Sequence, residues 1–338
     1  MTAGVRSLYQ APSWLPGAHA QTVYPAIFAP KPPVNYARLR MDLPDQDFVD
    51  IDFLNALPAQ GDQRPFIALF HGLEGDSSSH YARALMTEIA SAGLRGAVVH
   101  WRGCSGSPNR LARSYHSGES GDIDSALHFL SRTLGPKTPL FAVGVSLGGN
   151  ALLKWLGEAH RTTDIIGGAC AVSAPHDLEA GADMLASGVS RLYTHNFMST
   201  LKAKSLKKLE SFAMPYTRAE VMACNNFHRF DDVVTARVHG YKSAQDYWTR
   251  SSCKQFMATI KRPTLVINAI NDPFLPRSAL ARQHEVSNHV TLEYPATGGH
   301  VGFLSSPAPG HHGWIPRRAL SFFGLSNLGP PHLGKSYG

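Results

Sequence analysis

An α/β architecture, with a mostly parallel, doubly wound sheet of eight strands, is predicted by three observations. Continuous apolar runs at 65–70, 96–101, 139–143, 165–172 and 264–269 suit strands buried on both faces. Helical patterns near 80–92, 120–134 and 147–158 fall between them, giving the βαβα alternation of a parallel sheet. An antiparallel hairpin opens the sheet, since 38–43 and 48–53 alternate apolar and polar residues around the turn Pro44-Asp45-Gln46-Asp47.

Taken in order, residues 1–34 are rich in Pro and aromatic residues and show no clear periodicity, so they are expected to wrap the domain as an extended, non-catalytic segment. The core then comprises 35–176 and 231–325, closed by a last strand at 290–294. Between them, 177–230 carry helical periodicity without a buried-strand run, which predicts a helical lid inserted above the carboxyl edge of the sheet. Residues 326–338, rich in Gly and Pro, are expected to form a frayed and dispensable tail.

With 338 residues and 43% hydrophobic content, the chain can bury one large core with an insertion, or two modest ones. No stretch approaches the ~20 apolar residues of a membrane span, and the first residues lack the apolar centre of a signal peptide. A cytoplasmic location is expected. Cys104, Cys170, Cys224 and Cys253 are scattered without a CxxC pair, which suits free thiols and implies no metal site. The net charge is +7, but only 17% of residues are charged and the basic ones are dispersed, which argues against nucleic acid as a partner. One cluster stands out: Lys202, Lys204, Lys207 and Lys208 alternate with Leu201, Leu206, Leu209 and Phe212 at helical spacing. It reads first as a solvated helix face, and second as a surface for weak peripheral membrane contact or for an acyl donor carrying phosphate.

The chemistry concentrates at Gly144-Val145-Ser146-Leu147-Gly148-Gly149-Asn150, directly after the 139–143 run and before the helical stretch Ala151–Leu156. A strand turning sharply into a helix at a serine lifts the hydroxyl above the sheet, and Ser146 is the candidate nucleophile. The Leu147 N–H would lie at a helix N-terminus, suited to a developing oxyanion. A second backbone donor is expected from Leu73, in His71-Gly72-Leu73-Glu74-Gly75 after the strand ending at Phe70. Asp272, in Asn271-Asp272-Pro273 after the penultimate strand, is the candidate acid. His300, in Gly298-Gly299-His300-Val301-Gly302, is the candidate base, singled out from 17 histidines by chain order and loop position. His311 and His312 are weaker candidates. His71, His100, Arg102, Tyr115 and His116 are expected to orient loops or line a pocket, and Cys104 to be a small buried residue.

These segments, with Arg102-Gly103-Cys104-Ser105-Gly106, Tyr115-His116-Ser117-Gly118-Glu119 and Phe230-Asp231-Asp232, resemble the YheT-like branch of the α/β hydrolases. That group is related to eukaryotic α/β-hydrolase-domain lipases and yeast medium-chain ethyl ester synthase/esterases. The resemblance runs from about residue 12 to 325 and departs only at Ser120-Gly121, where the family carries Thr and an acidic residue. It implies a cofactor-free serine ester hydrolase with Ser146, Asp272 and His300 as its triad. Its substrate would be a small-molecule acyl ester, and the apolar lid points to short or medium acyl chains. Two alternatives remain open: an acyltransferase that passes the acyl group to an alcohol, and a non-catalytic protein that binds an acyl ligand.

Overall fold

The computed structural model describes residues 9–59 and 61–326; most of the expected tail, 327–338, lies outside them. Eight strands form one sheet: β1 (Tyr36–Asp42), β2 (Phe48–Leu54), β3 (Phe66–Phe70), β4 (Arg95–Val99), β5 (Leu140–Val145), β6 (Gly168–Val172), β7 (Thr264–Ile267) and β8 (Val290–Glu293). Their spatial order is β1-β2-β4-β3-β5-β6-β7-β8. β1, β2 and β4 pair antiparallel, and all later pairs are parallel. The predicted fold class holds.

Period-two alternation divides each central strand between two cores. Phe66, Ala68 and Phe70 of β3 face one core with Leu140 and Ala142 of β5. Ile67 and Leu69 face the other with Val143 and Val145. Helices α3 (Ser120–Leu134) and α4 (Leu147–Gly157) cover the first face through Ile123, Leu127, Leu152 and Trp155. Helix α2 (His80–Ser91) and the helix Trp314–Phe322 cover the second through Leu85, Met86 and Leu320. Both faces of the sheet are thus buried, which the continuous apolar runs require.

Two expectations are corrected. The N-terminal segment is not wholly extended, because Ala18–Ile27 form helix α1. Nor does the helical layer end at residue 230. After α5 (Leu178–Leu185), α6 (Arg191–Lys208) and α7 (Arg218–Ala223), helical structure continues over 227–239 and again at Ala244–Ser251. Phe230, Val233 and Val234 share an apolar cluster with Met198, Tyr216 and Val221, and Tyr247 and Trp248 share another with Ala182. Residues on both sides of 230 therefore bury each other, and the inserted helical layer continues to residue 251.

The lysine cluster also departs from a solvated face. Lys204 Nζ donates to Glu74 Oε1 at 2.8 Å, and Lys208 Nζ donates to Asn109 Oδ1 at 2.7 Å, both on loops of the sheet domain. Lys202 Nζ donates to the Met222 and Cys224 carbonyls. Lys204 and Lys208 thus face the sheet domain, Lys202 faces its own helical layer, Lys207 stays exposed, and Leu192 on the same helix is 71% exposed.

Candidate active site

Where β5 passes into α4, Ser146 has φ 53° and ψ −118°, a conformation that L residues rarely adopt and that marks stored strain. The crossing needs its glycines. A Cβ on Gly144 would lie 2.4 Å from the Gly148 carbonyl oxygen, and one on Gly148 would lie 2.3 Å from that of Phe70. The Ser146 N–H donates to the Val172 carbonyl at 2.8 Å, which anchors the turn to β6.

The structure brings the three candidate residues together. His300 Nε2 lies 3.0 Å from Ser146 Oγ, and His300 Nδ1 lies 2.8 Å from Asp272 Oδ2. Asp272 is 2% exposed at its side chain, and its other oxygen accepts the Phe274 N–H at 2.8 Å. With Nδ1–H donated to the carboxylate, Nε2 is left as an acceptor for the serine proton. Phe274 stacks on the imidazole at 4.0 Å between ring centroids and 15° between planes, which fixes the ring's tilt.

Several groups that hold the His300 loop escaped sequence reasoning. Gln21 Oε1 accepts from both Asn271 Nδ2 and Gly298 N, each at 2.9 Å, joining the acid and base loops through one buried side chain. Thr22 Oγ1 accepts the His300 N–H at 2.9 Å, and Ser173 Oγ accepts that of Val301 at 3.1 Å. Val301 is β-branched yet has φ 59°, so these bonds hold a strained turn. Helix α1 is therefore a support of the site.

The amides expected to receive an oxyanion lie beside the serine. Leu147 is the first residue of α4, so its N–H has no partner within the helix. In the 71–75 loop, Gly72 N donates to Tyr81 Oη, Glu74 N to Tyr115 Oη and Gly75 N to the Gly72 carbonyl. Leu73 N is the amide of that run left without an acceptor among the described residues. A Cβ on Gly72 would stand 3.1 Å from Ser146 Cβ, so the loop presses against the serine. Leu73 and Leu147 both line a cavity of about 500 Å³ between the sheet edge and the inserted helices, with Leu201, Phe212, Phe230 and Val234 on the helical side.

Other sequence candidates serve the surroundings. His71 Nδ1 donates to the Gly72 carbonyl, and its Nε2 accepts the Trp101 N–H; burial pushes its pKa down to about 3, so the ring is neutral. His100 Nε2 meets Asp52 Oδ2 at 2.8 Å. Arg102 is buried against Asp45, Asp47 and Asp122. Tyr115 holds Glu74. Burial raises the Cys104 thiol to about 11, which keeps it protonated at neutral pH and unsuited to nucleophilic attack. His312 packs against His80, at 4.9 Å between ring centroids. All four cysteines are free.

Comparison with known proteins agrees with this fold. Residues 65–307 match the α/β hydrolase fold family. YheT of Escherichia coli (strain K12), a candidate esterase, is 37% identical over 303 residues, covering 89% of this chain and 88% of its own. Phospholipase ABHD3 of Mus musculus is 28% identical over 311 residues, covering 90% of this chain and 75% of its own. Among solved structures, the Pyrococcus furiosus esterase Pf2001 superposes with a TM-score of 0.54 at 13% identity, over 95% of this chain and 98% of that one, a likeness of fold. The chain belongs to the α/β hydrolase fold family, in the group of YheT, and is a hydrolase of the esterase and lipase type.

Proposed function

We propose that the protein is a serine carboxylic-ester hydrolase acting by two-step acyl transfer on short- to medium-chain esters. One observation carries the reading: Ser146, His300 and Asp272 form a continuous hydrogen-bonded line, and Leu147, the residue after the serine, lines a cavity of about 500 Å³. His300 Nε2 takes the hydroxyl proton as Ser146 Oγ attacks the ester carbonyl. Asp272 holds the imidazole in the required tautomer and stabilises the imidazolium. The N–H groups of Leu147 and Leu73 receive the oxyanion, and the alcohol leaves with the proton returned by His300. Water, activated by the same ring, then attacks the acyl-enzyme carbonyl and releases the acid.

A cavity of about 500 Å³ lies within the usual range of small-molecule sites, and its apolar lid wall supports an acyl chain of modest length. The free thiols support the expected cytoplasmic setting. Val189, Leu192 and Met222 on the lid's outer surface are 55%, 71% and 54% exposed, which supports weak peripheral contact with a membrane surface. No helix among the described residues is long and apolar enough to cross a membrane.

The test is hydrolysis of p-nitrophenyl esters from C2 to C16 by wild type and Ser146→Ala. Activity confined to wild type, with an optimum at short or medium chains, is expected. Wild-type rates retained by the variant would overturn the assignment. Product analysis with ethanol present separates hydrolysis from transfer to an alcohol.

A further inference from the structure

We propose that Lys204 on the lid helix α6 is a positioning residue for the oxyanion site, acting through its ion pair with Glu74. The inference rests on the serine-esterase reading above and adds to it a coupling between lid closure and the catalytic loop. Glu74 follows Leu73, whose N–H is the proposed second oxyanion donor. Glu74 has φ 55°, so the peptide next to the donor is held in a conformation that a non-glycine residue leaves readily.

Two groups hold it there. Tyr115 Oη accepts the Glu74 N–H at 2.9 Å and donates its own proton to Glu74 Oε1 at 2.7 Å, pinning backbone and side chain with one hydroxyl. Tyr115 belongs to the sheet domain and stacks on the buried Trp101. The other group comes from the lid: Lys204 Nζ donates to the same Oε1 at 2.8 Å and to Cys104 Sγ at 3.4 Å. Among the described residues this is the one salt bridge between the lid, 178–251, and the rest of the chain.

Its surroundings favour a positioning role over a stabilising one. The Lys204 side chain is 42% exposed, and an ion pair this open to water contributes little to folding. Burial works against the Lys204 charge, yet Cys104 and Glu74 beside it hold its proton above the usual lysine value. The ammonium is therefore charged whenever the enzyme works. Both Glu74 and Lys204 also line the cavity that opens onto Leu73 and Leu147. With the lid seated, Glu74 is held from both sides and the Leu73 amide keeps its aim. With the lid displaced, Tyr115 holds it alone.

The experiment compares wild type with Lys204→Met, Lys204→Arg, Glu74→Gln and the double variant Glu74→Gln/Lys204→Met. It uses steady-state hydrolysis of a medium-chain p-nitrophenyl ester and binding of phenylboronic acid, which adds to the serine as a tetrahedral anion. An oxyanion donor removed outright costs about 10²–10³ in kcat, so one left in place but loosened should cost about tenfold. Lys204→Met is expected to lower kcat by that factor with KM within twofold, and to weaken boronate binding in parallel. Lys204→Arg should restore most of the rate, and the double variant should be no slower than the slower single one. A melting temperature within about 3 °C of wild type would separate positioning from folding. Should Lys204→Met fold poorly, Glu74→Gln carries the same test. If Ser146→Ala abolishes turnover while Lys204→Met and Glu74→Gln keep wild-type kcat and boronate affinity, the coupling is overturned and the esterase reading stands. If wild type turns over no ester and Ser146 takes no acyl group, both fall.

Discussion

Replacing Gln21 by Met keeps the side chain's length and bulk and removes all of its hydrogen bonding. Gln21 is 4% exposed and makes three bonds: Nε2 donates to the Leu15 carbonyl at 2.8 Å, and Oε1 accepts from Asn271 Nδ2 and Gly298 N at 2.9 Å each. The variant therefore orphans a carbonyl, an amide group and a buried backbone N–H. Each orphan costs about 1–3 kcal/mol when fully sealed from water. Asn271 and Leu15 can recover part of this by small shifts, leaving about 2–4 kcal/mol. At about 2–4 °C per kcal/mol for a chain of this size, the melting temperature should fall by about 4–16 °C. Activity should fall further than stability implies, because the same bonds set the spacing between the Asp272 and His300 loops. A displacement near 1 Å at a reacting group can cost about 10²-fold, and with Thr22 still holding the His300 N–H we expect about tenfold in kcat. The assay is kcat and KM at 20 °C alongside urea unfolding. A variant that loses stability yet keeps kcat within twofold would refute the view that α1 aligns the base.

Asp272→Asn should lower kcat by about 10³–10⁴ with little change in KM, since an amide in place of the carboxylate favours the wrong imidazole tautomer; steady-state kinetics on one ester decide this. Ser146→Gly should be more stable than Ser146→Ala by about 1 kcal/mol, because glycine accepts φ 53° and alanine does not, and paired urea midpoints measure it. Stability should also fall as pH drops below about 6.5. Burial lowers the pKa of His71 and His116 to about 3 and of His176 to about 4, so the unfolded chain takes up their protons first. Their contribution is complete above the unfolded value and shrinks by up to about 2 kcal/mol per residue at pH 5. Unfolding midpoints at pH 7.5 and 5 that coincide would contradict this.

What the sequence disclosed follows the physics of each segment. Strands β3 to β7 sit under helices on both faces, so each leaves an uninterrupted apolar run. The Ser146 turn must carry glycine at 144 and 148, because a Cβ at either would strike backbone. Ser, Asp and His could then be sought in the order that the strands impose. Helix α1 was hidden because Ala-His-Ala-Gln-Thr-Val-Tyr-Pro-Ala-Ile shows no apolar stripe and contains Pro25. That proline has no N–H for the Gln21 carbonyl, and against this carbonyl Gly302 packs so closely that a Cβ would lie 1.8 Å away. The lid's continuation past 230 was hidden because the π-helical turn Asp231–Ala236 interrupts the 3.6-residue period. For α6, periodicity revealed which residues share a face and not which way that face points. Lys204 and Lys208 turn inward and Leu192 outward, a choice made by Glu74 and Asn109, more than ninety residues earlier in the chain.

The central claim is that Ser146 carries the acyl group between two half-reactions. Wild type mixed rapidly with a p-nitrophenyl ester, quenched in acid and mapped by peptide mass should show the acyl group on Ser146 and on no other side chain, with none on the Ser146→Ala protein. An acyl group found on Cys104 or another residue, or turnover undiminished in Ser146→Ala, would contradict the account.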